Sequence, residues 1–157
     1  MMFFGKKQRK KLEADHESFF KYHDGLTGLK NREFAFKEYE RLKHSKEHFV
    51  VSVRLSGCEG MPYYKACGCI KRAGNLISRI CEVEAARIEN GDFVMFCKDG
   101  AAVTEKLNFF LKRLSEEDEA LCAVCDKLDK NESFELLARR IQRHLAAEEI
   151  ENMMQKR

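Results

Sequence analysis

Seven cysteines and five histidines are the side chains here that could hold a metal or act as nucleophiles, and their spacing limits what they can do. Cys122-Ala-Val-Cys125 has C-x-x-C spacing, and Cys67-Gly-Cys69 is a second close pair. A structural zinc site takes four ligands in two such pairs. Cys122 and Cys125, however, fall in a short apolar run that reads as a strand, where cysteine serves as a small core residue. The count is odd and Cys58, Cys81 and Cys97 are scattered, so free thiols in a reducing cytoplasm are the default. Of His16, His23, His44, His48 and His144, only His44 and His48 stand at H-x-x-x-H spacing; there is no H-E-x-x-H pattern, no G-x-S-x-G elbow and no P-loop.

Charge is concentrated at one end. Of 157 residues, 44% are hydrophobic and 35% charged, a globular balance for one domain, with a formal net charge of +3 and a single proline. Five cations stand in Gly5-Lys-Lys-Gln-Arg-Lys-Lys11, directly after Met1-Met-Phe-Phe4. The apolar run precedes the charges and is short, so it is not a signal peptide. Nor does any stretch approach the ~20 apolar residues that cross a bilayer. Residues 6–11 read either as a solvated helix start or as a weak contact with anionic lipid. Arg139-Arg-Ile-Gln-Arg143 reads as a solvated helix face, and no nucleic-acid partner is expected.

The elements that must position any site follow from periodicity. Helices are predicted over 6–22, 32–46, 65–81 and 101–114, and from Ser133 onward. Strands are predicted over 48–56, 82–88, 93–98 and 121–124. In the first strand Val51, Val53 and Leu55 share one face, so Arg54 and Ser56 share the other. Asn90-Gly91 between two strand-like runs signals a hairpin, since both residues tolerate positive φ. Val103, Leu107, Phe110, Leu111 and Leu114 mark one helix face, and Phe134, Leu137, Ile141 and Leu145 another. Phe19, Phe20 and Tyr22 end the first helix and are too apolar to be left in water. A hairpin within the alternation of helices and strands indicates an α/β sandwich with a mixed sheet, not a doubly wound parallel one.

One motif carries more than pattern. Asp24-Gly-Leu-Thr-Gly-Leu-Lys-Asn-Arg32 reads D-x-L-T-G-L-x-N-R over nine consecutive positions. It resembles the opening motif of GGDEF domains, the diguanylate cyclase family, which joins two GTP molecules into cyclic di-GMP on an acidic two-metal site. The resemblance implies a mixed sheet of about five strands with a central hairpin, flanked by helices. It gives a basic N-terminal helix over 1–22, a GGDEF-like domain over 23–150 and a charged tail over 151–157. Asp24, Leu26, Thr27, Gly28, Leu29, Asn31 and Arg32 would then be structural.

The same resemblance places the signature at Glu89-Asn90-Gly91-Asp92-Phe93, after Arg87-Ile88. Glu89 and Asn90 stand where the family keeps two glycines, and Gly91 where it keeps a metal-binding acid. Sliding Gly91-Asp92 onto the family's G-D pair would rescue Asp92 as a ligand but misplace Arg87 and Phe93. The second metal-binding acid would align with Arg54, which is expected to pair with Glu89 or Asp92, or to hold a phosphate. Arg79 and Glu82 loosely match the family's inhibitory R-x-x-D. No Lys occurs from Asn131 to Gln155, where the family binds phosphate. The implied protein is a degenerate bacterial member without catalytic residues, metal or cofactor. It would act as a regulatory or interaction module in cyclic-dinucleotide signalling, with a protein partner or a second copy. The alternatives are a GTP or cyclic di-GMP sensor without turnover, and a divergent cyclase, which alone would need magnesium.

Overall fold

The computed structural model describes residues 5–114 and 120–155, and the side chains within them except those of 13–17, 111–114 and 120. Met1–Phe4, the His16 side chain, the predicted core contacts of Leu111 and Leu114, and the last two residues of the tail lie outside that range. The elements run α1 (Lys6–Tyr22), α2 (Arg32–Leu42), β1 (Phe49–Ser56), α3 (Tyr63–Ile80), β2 (Ala86–Glu89), β3 (Asp92–Cys97), α4 (Gly100–Leu114), β4 (Ala120–Lys127) and α5 (Phe134–Gln155). A single 3-10 turn at Cys58–Gly60 follows β1.

The sheet order is β2-β3-β1-β4, the split βαβ arrangement in which two β-α-β passes share one sheet. Every strand pairing is antiparallel. The predicted mixed sheet of about five strands is therefore corrected to four antiparallel strands among the described residues. The hairpin reverses the chain before it reaches the neighbour of β1, so β3 and β4 both run against β1. Parallel pairing survives only as one bridge, Lys30 to Ala86, where the loop after α1 caps the β2 edge.

β1 is central and buried on both faces over Val50–Val53. On one face Val50, Val94, Phe96, Cys122 and Val124 pack against Tyr39 of α2 and Leu137, Ile141 and Leu145 of α5. On the other, Val51, Val53, Phe93 and Met95 pack against Ile70 and Ile77 of α3 and Leu107 of α4. Burying each such side chain contributes roughly 1.5–3 kcal/mol, which outweighs the short length of the strands.

Several boundaries move from their predicted places. α2 stops at Leu42, its last turn closed by the Lys43 N–H donating to the Tyr39 carbonyl (2.8 Å). β2 shrinks to four residues, and β4 extends to eight because β1 offers a full-length partner. Phe110 is 39% exposed, as Leu107 already fills the space beneath α4. Phe19 and Phe20 remain 44% exposed, packing edge-to-face on each other, with Phe19 stacked on His23.

Candidate functional site

The ends of β1 and the β2–β3 hairpin meet under the C-terminal half of α5. Register places Arg54 directly opposite Asp92, on the α5 face of the sheet. The Arg54 guanidinium donates to both Asp92 oxygens, Nε to Oδ1 at 2.9 Å and Nη2 to Oδ2 at 3.0 Å. Its remaining nitrogen donates to Glu149 Oε1 of α5 at 2.8 Å. The Ser56 hydroxyl donates to the other Glu149 oxygen at 2.5 Å. Side-chain exposures are 19% for Arg54, 8% for Asp92 and 27% for Glu149. The Asp92 carboxylate, ahead of that of Glu149, raises the Arg54 pKa further above its ordinary value against the effect of burial. The guanidinium therefore stays charged at every accessible pH. Of the two acids the sequence offered to Arg54, the geometry brings Asp92 to it. The Glu89 carboxylate instead accepts from the Gln142 amide of α5.

The turn between these strands is shaped by steric need. Asn90 alone takes a positive φ, 44°. Gly91 does not, so the predicted hairpin forms with one residue of the pair in that region. Gly91 is required for closeness: a Cβ there would lie 2.9 Å from both the Cβ and the carbonyl oxygen of Leu55. Its own carbonyl accepts from the Leu55 N–H at 2.8 Å. Phe93 is fully buried on the α3 face.

These residues line a cavity of about 400 Å³ with Glu59 and Asn90. They do not fit a pair of magnesium ions, which need several carboxylate and water oxygens. Arg54 brings a positive charge to the cavity, and Gly91 brings no side chain. Both oxygens of Asp92 are already occupied by Arg54. The Ser52 hydroxyl, fully buried one pleat away on the same face, has no hydrogen-bond partner.

The Asp24–Arg32 segment is a hydrogen-bonded loop. Asp24 Oδ2 accepts from the Thr27 amide (2.9 Å) and hydroxyl (2.7 Å), and the Asp24 carbonyl accepts from the Gly28 N–H (2.8 Å). Gly28 takes φ +74°, a conformation open to glycine. Asn31 caps α2 by accepting from the Phe34 N–H at 3.1 Å, while its amide donates to the Lys21 carbonyl at 3.0 Å. Leu26 and Leu29 pack against the α3 side of the core, and Arg32 pairs with Glu135 of α5 at 3.3 Å.

Arg87 joins this loop to the hairpin, donating to Asp24 Oδ1 and to the Asn90 carbonyl, at 2.9 and 2.8 Å. Burial opposes ionisation of Asp24, but the Thr27 hydroxyl and amide and the Arg87 charge together hold its pKa below the usual value.

The other sequence candidates do not assemble. Cys122 and Cys125, three apart on β4, face opposite sides of the sheet, so they cannot clasp one metal. Burial pushes the Cys122 thiol up to about 12 and the Cys97 thiol up to about 11. No disulfide joins any of the seven cysteines. Arg79 and Glu82 are exposed around the end of α3 and do not pair with each other. In the basic run of α5, Arg140 is bound by Glu132 (2.9 Å) and Asp126 (3.2 Å).

Sequence reasoning missed Glu149, Gln142 and the bridging role of Arg87. The signal for Glu149 was present. It continues the buried stripe Phe134, Leu137, Ala138, Ile141, Leu145 by four residues, with a charge where an apolar residue is due.

No family model matches the chain, and no curated protein matches it in sequence. Solved structures do match. The coiled coil and GGDEF domain of DgcB from Caulobacter crescentus, in complex with c-di-GMP, superposes with a TM-score of 0.68 at 18% identity, over 84% of this chain and 83% of that one. A diguanylate cyclase/phosphodiesterase from Caldicellulosiruptor saccharolyticus gives 0.67 at 15% identity, over 85% and 90%. The diguanylate cyclase SiaD of Pseudomonas aeruginosa, in complex with its activator SiaC, gives 0.60 at 11% identity, over 90% and 63%. The chain has the GGDEF-domain fold.

Proposed function

We propose that this chain is a degenerate GGDEF-fold domain that does not turn over GTP and works as a regulatory or protein-interaction module in cyclic-dinucleotide signalling. The observation that carries the reading is the Arg54 guanidinium, bidentate on Asp92 and tied to Glu149. Phosphoryl transfer depends on cations that neutralise charge developing on the transferred group. In this chain the Arg54 cation at the centre is bound by two of the chain's own carboxylates, and Gly91 has no side chain to recruit another.

A role through contacts is supported by what the fold leaves outside. Tyr63 and Tyr64, consecutive at the start of α3, are 85% and 78% exposed, and tyrosine is a frequent anchor in protein interfaces. SiaD, with the same fold, is found with a protein activator. The nucleotide-sensor reading is less well supported, because Arg54 donates from each of its three nitrogens to carboxylates, with Glu149 and Glu59 nearby to repel phosphate. The divergent-cyclase reading meets the missing ligands described above.

Calorimetric titration with GTP and with cyclic di-GMP, with and without magnesium, separates the three. The proposed function gives no binding heat in any arm. Magnesium-independent binding supports the sensor, and magnesium-dependent binding with product supports the cyclase.

A further inference from the structure

The first two turns of α1 carry a charge that the rest of the fold does not use. Lys6, Lys7, Arg9, Lys10 and Lys11 are all exposed, and among the described residues none forms an ion pair. The five together exceed the net +3 of the whole chain, leaving the remainder acidic by two. They sit at the positive end of the helix dipole, with no acid in the first turn to offset it. That placement works against the helix itself, and the described residues give no internal reason for it.

The position of the run suits an external partner. α1 is held to the domain at its far end, where the Asn31 side-chain amide donates to the Lys21 carbonyl and the Asn31 backbone N–H donates to the Tyr22 carbonyl. At 1.5 Å per residue the cations stand roughly 20 Å from that attachment. Leu12 and Phe19, seven residues apart and so on one side of the helix, are 53% and 44% exposed. In sequence, Met1-Met-Phe-Phe4 adjoins the cations.

We propose that α1 docks on an anionic lipid surface, with the five cations at the headgroups and Leu12 and Phe19 at the polar–apolar boundary. Charge complementarity decides the class of partner, and the apolar side chains decide within it. A helix lying on a membrane surface binds through buried apolar area together with attraction to anionic lipid, whereas a nucleic-acid backbone makes no use of Leu12 or Phe19. A second copy offers a competing acidic surface at Glu148, Glu149 and Glu151. Two of these are half-buried and Glu149 is bound by Arg54, which leaves little charge to receive five cations.

Each cation near such a surface strengthens binding about fivefold, so losing all five weakens it by about three orders of magnitude. The test is co-sedimentation of the full chain with vesicles of phosphatidylcholine alone or with about one-third phosphatidylserine, at low and at molar salt. Binding is expected only to the anionic vesicles at low salt. Replacing the five cations by glutamine abolishes it without shifting the melting temperature, and Leu12→Ser with Phe19→Ser weakens it. The proposal is overturned by no sedimentation with anionic vesicles, by equal binding to neutral ones, or by equal binding of the glutamine variant. Tighter binding to duplex DNA than to vesicles overturns it in favour of nucleic acid. A lipid-free dimer that the glutamine variant cannot form overturns it in favour of a second copy.

Discussion

Replacing Arg54 by methionine tests whether the centre beneath α5 is a structural joint. Methionine keeps the unbranched apolar stem of the side chain and removes the charged head. Asp92, with 8% of its side chain exposed, then keeps its negative charge with no cation beside it, and Glu149, at 27%, keeps the Ser56 hydroxyl but loses its cation. Removing one member of a buried pair costs about 3–5 kcal/mol, and a solvated pair about 0–1 kcal/mol. Arg54 and Glu149 retain some water while Asp92 retains almost none, so the lower end of the buried range applies, about 3 kcal/mol. For a chain of this size that lowers the melting temperature by about 6–12 °C. Urea unfolding should show the midpoint falling with an unchanged slope. Asp92→Leu should cost less, about 1–2 kcal/mol, because Arg54 keeps Glu149. The double variant should recover part of the loss, with a coupling of about 2 kcal/mol. A single Arg54→Met variant within about 0.5 kcal/mol of the parent refutes the reasoning, since that is the range of an ordinary surface substitution.

Three further outcomes follow from the same geometry. Gly91→Asp should destabilise by about 1–3 kcal/mol through overpacking against Leu55, and magnesium should not restore its melting temperature; metal-dependent stabilisation would show the site still accepts the ion. Asp24→Asn should cost about 1–3 kcal/mol at neutral pH by removing the charge opposite Arg87 and one of the two acceptor oxygens that serve Arg87 and Thr27. Because the folded pKa of Asp24 is depressed, its contribution is complete above the ordinary value of 3.8 and is lost as pH falls below that. The gap between variant and parent should therefore close in acid, and a constant gap would contradict the assignment. Cys122 and Cys97 should resist alkylation at pH 8 in the native protein and react only on unfolding, read by mass spectrometry; rapid native labelling of either would show that burial does not control them.

What could be read from the sequence was what repeats or what is contiguous. The Asp24–Arg32 loop was legible because its bonds are local: Asp24, Thr27, Gly28 and Asn31 satisfy one another within a few residues. The strand alternation placed Arg54 and Ser56 on one face, and that face is where Glu149 meets them. Strand direction was not legible, because it depends on which strand neighbours β1 after the hairpin, a long-range choice. Gly91 was read as a turn residue, since its approach to Leu55 exists only once β1 and β3 pair. The partners of Glu149 and Gln142 were not legible for the same reason: each lies more than fifty residues away, although the stripe of α5 marks position 149 itself. Phe110 shows the opposite failure, a periodicity that fits the core but exceeds the space available beneath α4.

The claim that Arg54 stands where catalysis would need a metal is tested most directly by product formation. The purified full chain is incubated with GTP and magnesium, and the mixture is resolved for cyclic di-GMP beside a no-protein control. The account predicts the two to be indistinguishable, because among the described residues Arg54 is the cation at the centre and its donors are bound to Asp92 and Glu149. Cyclic di-GMP above the control, from a preparation free of any other cyclase, contradicts it.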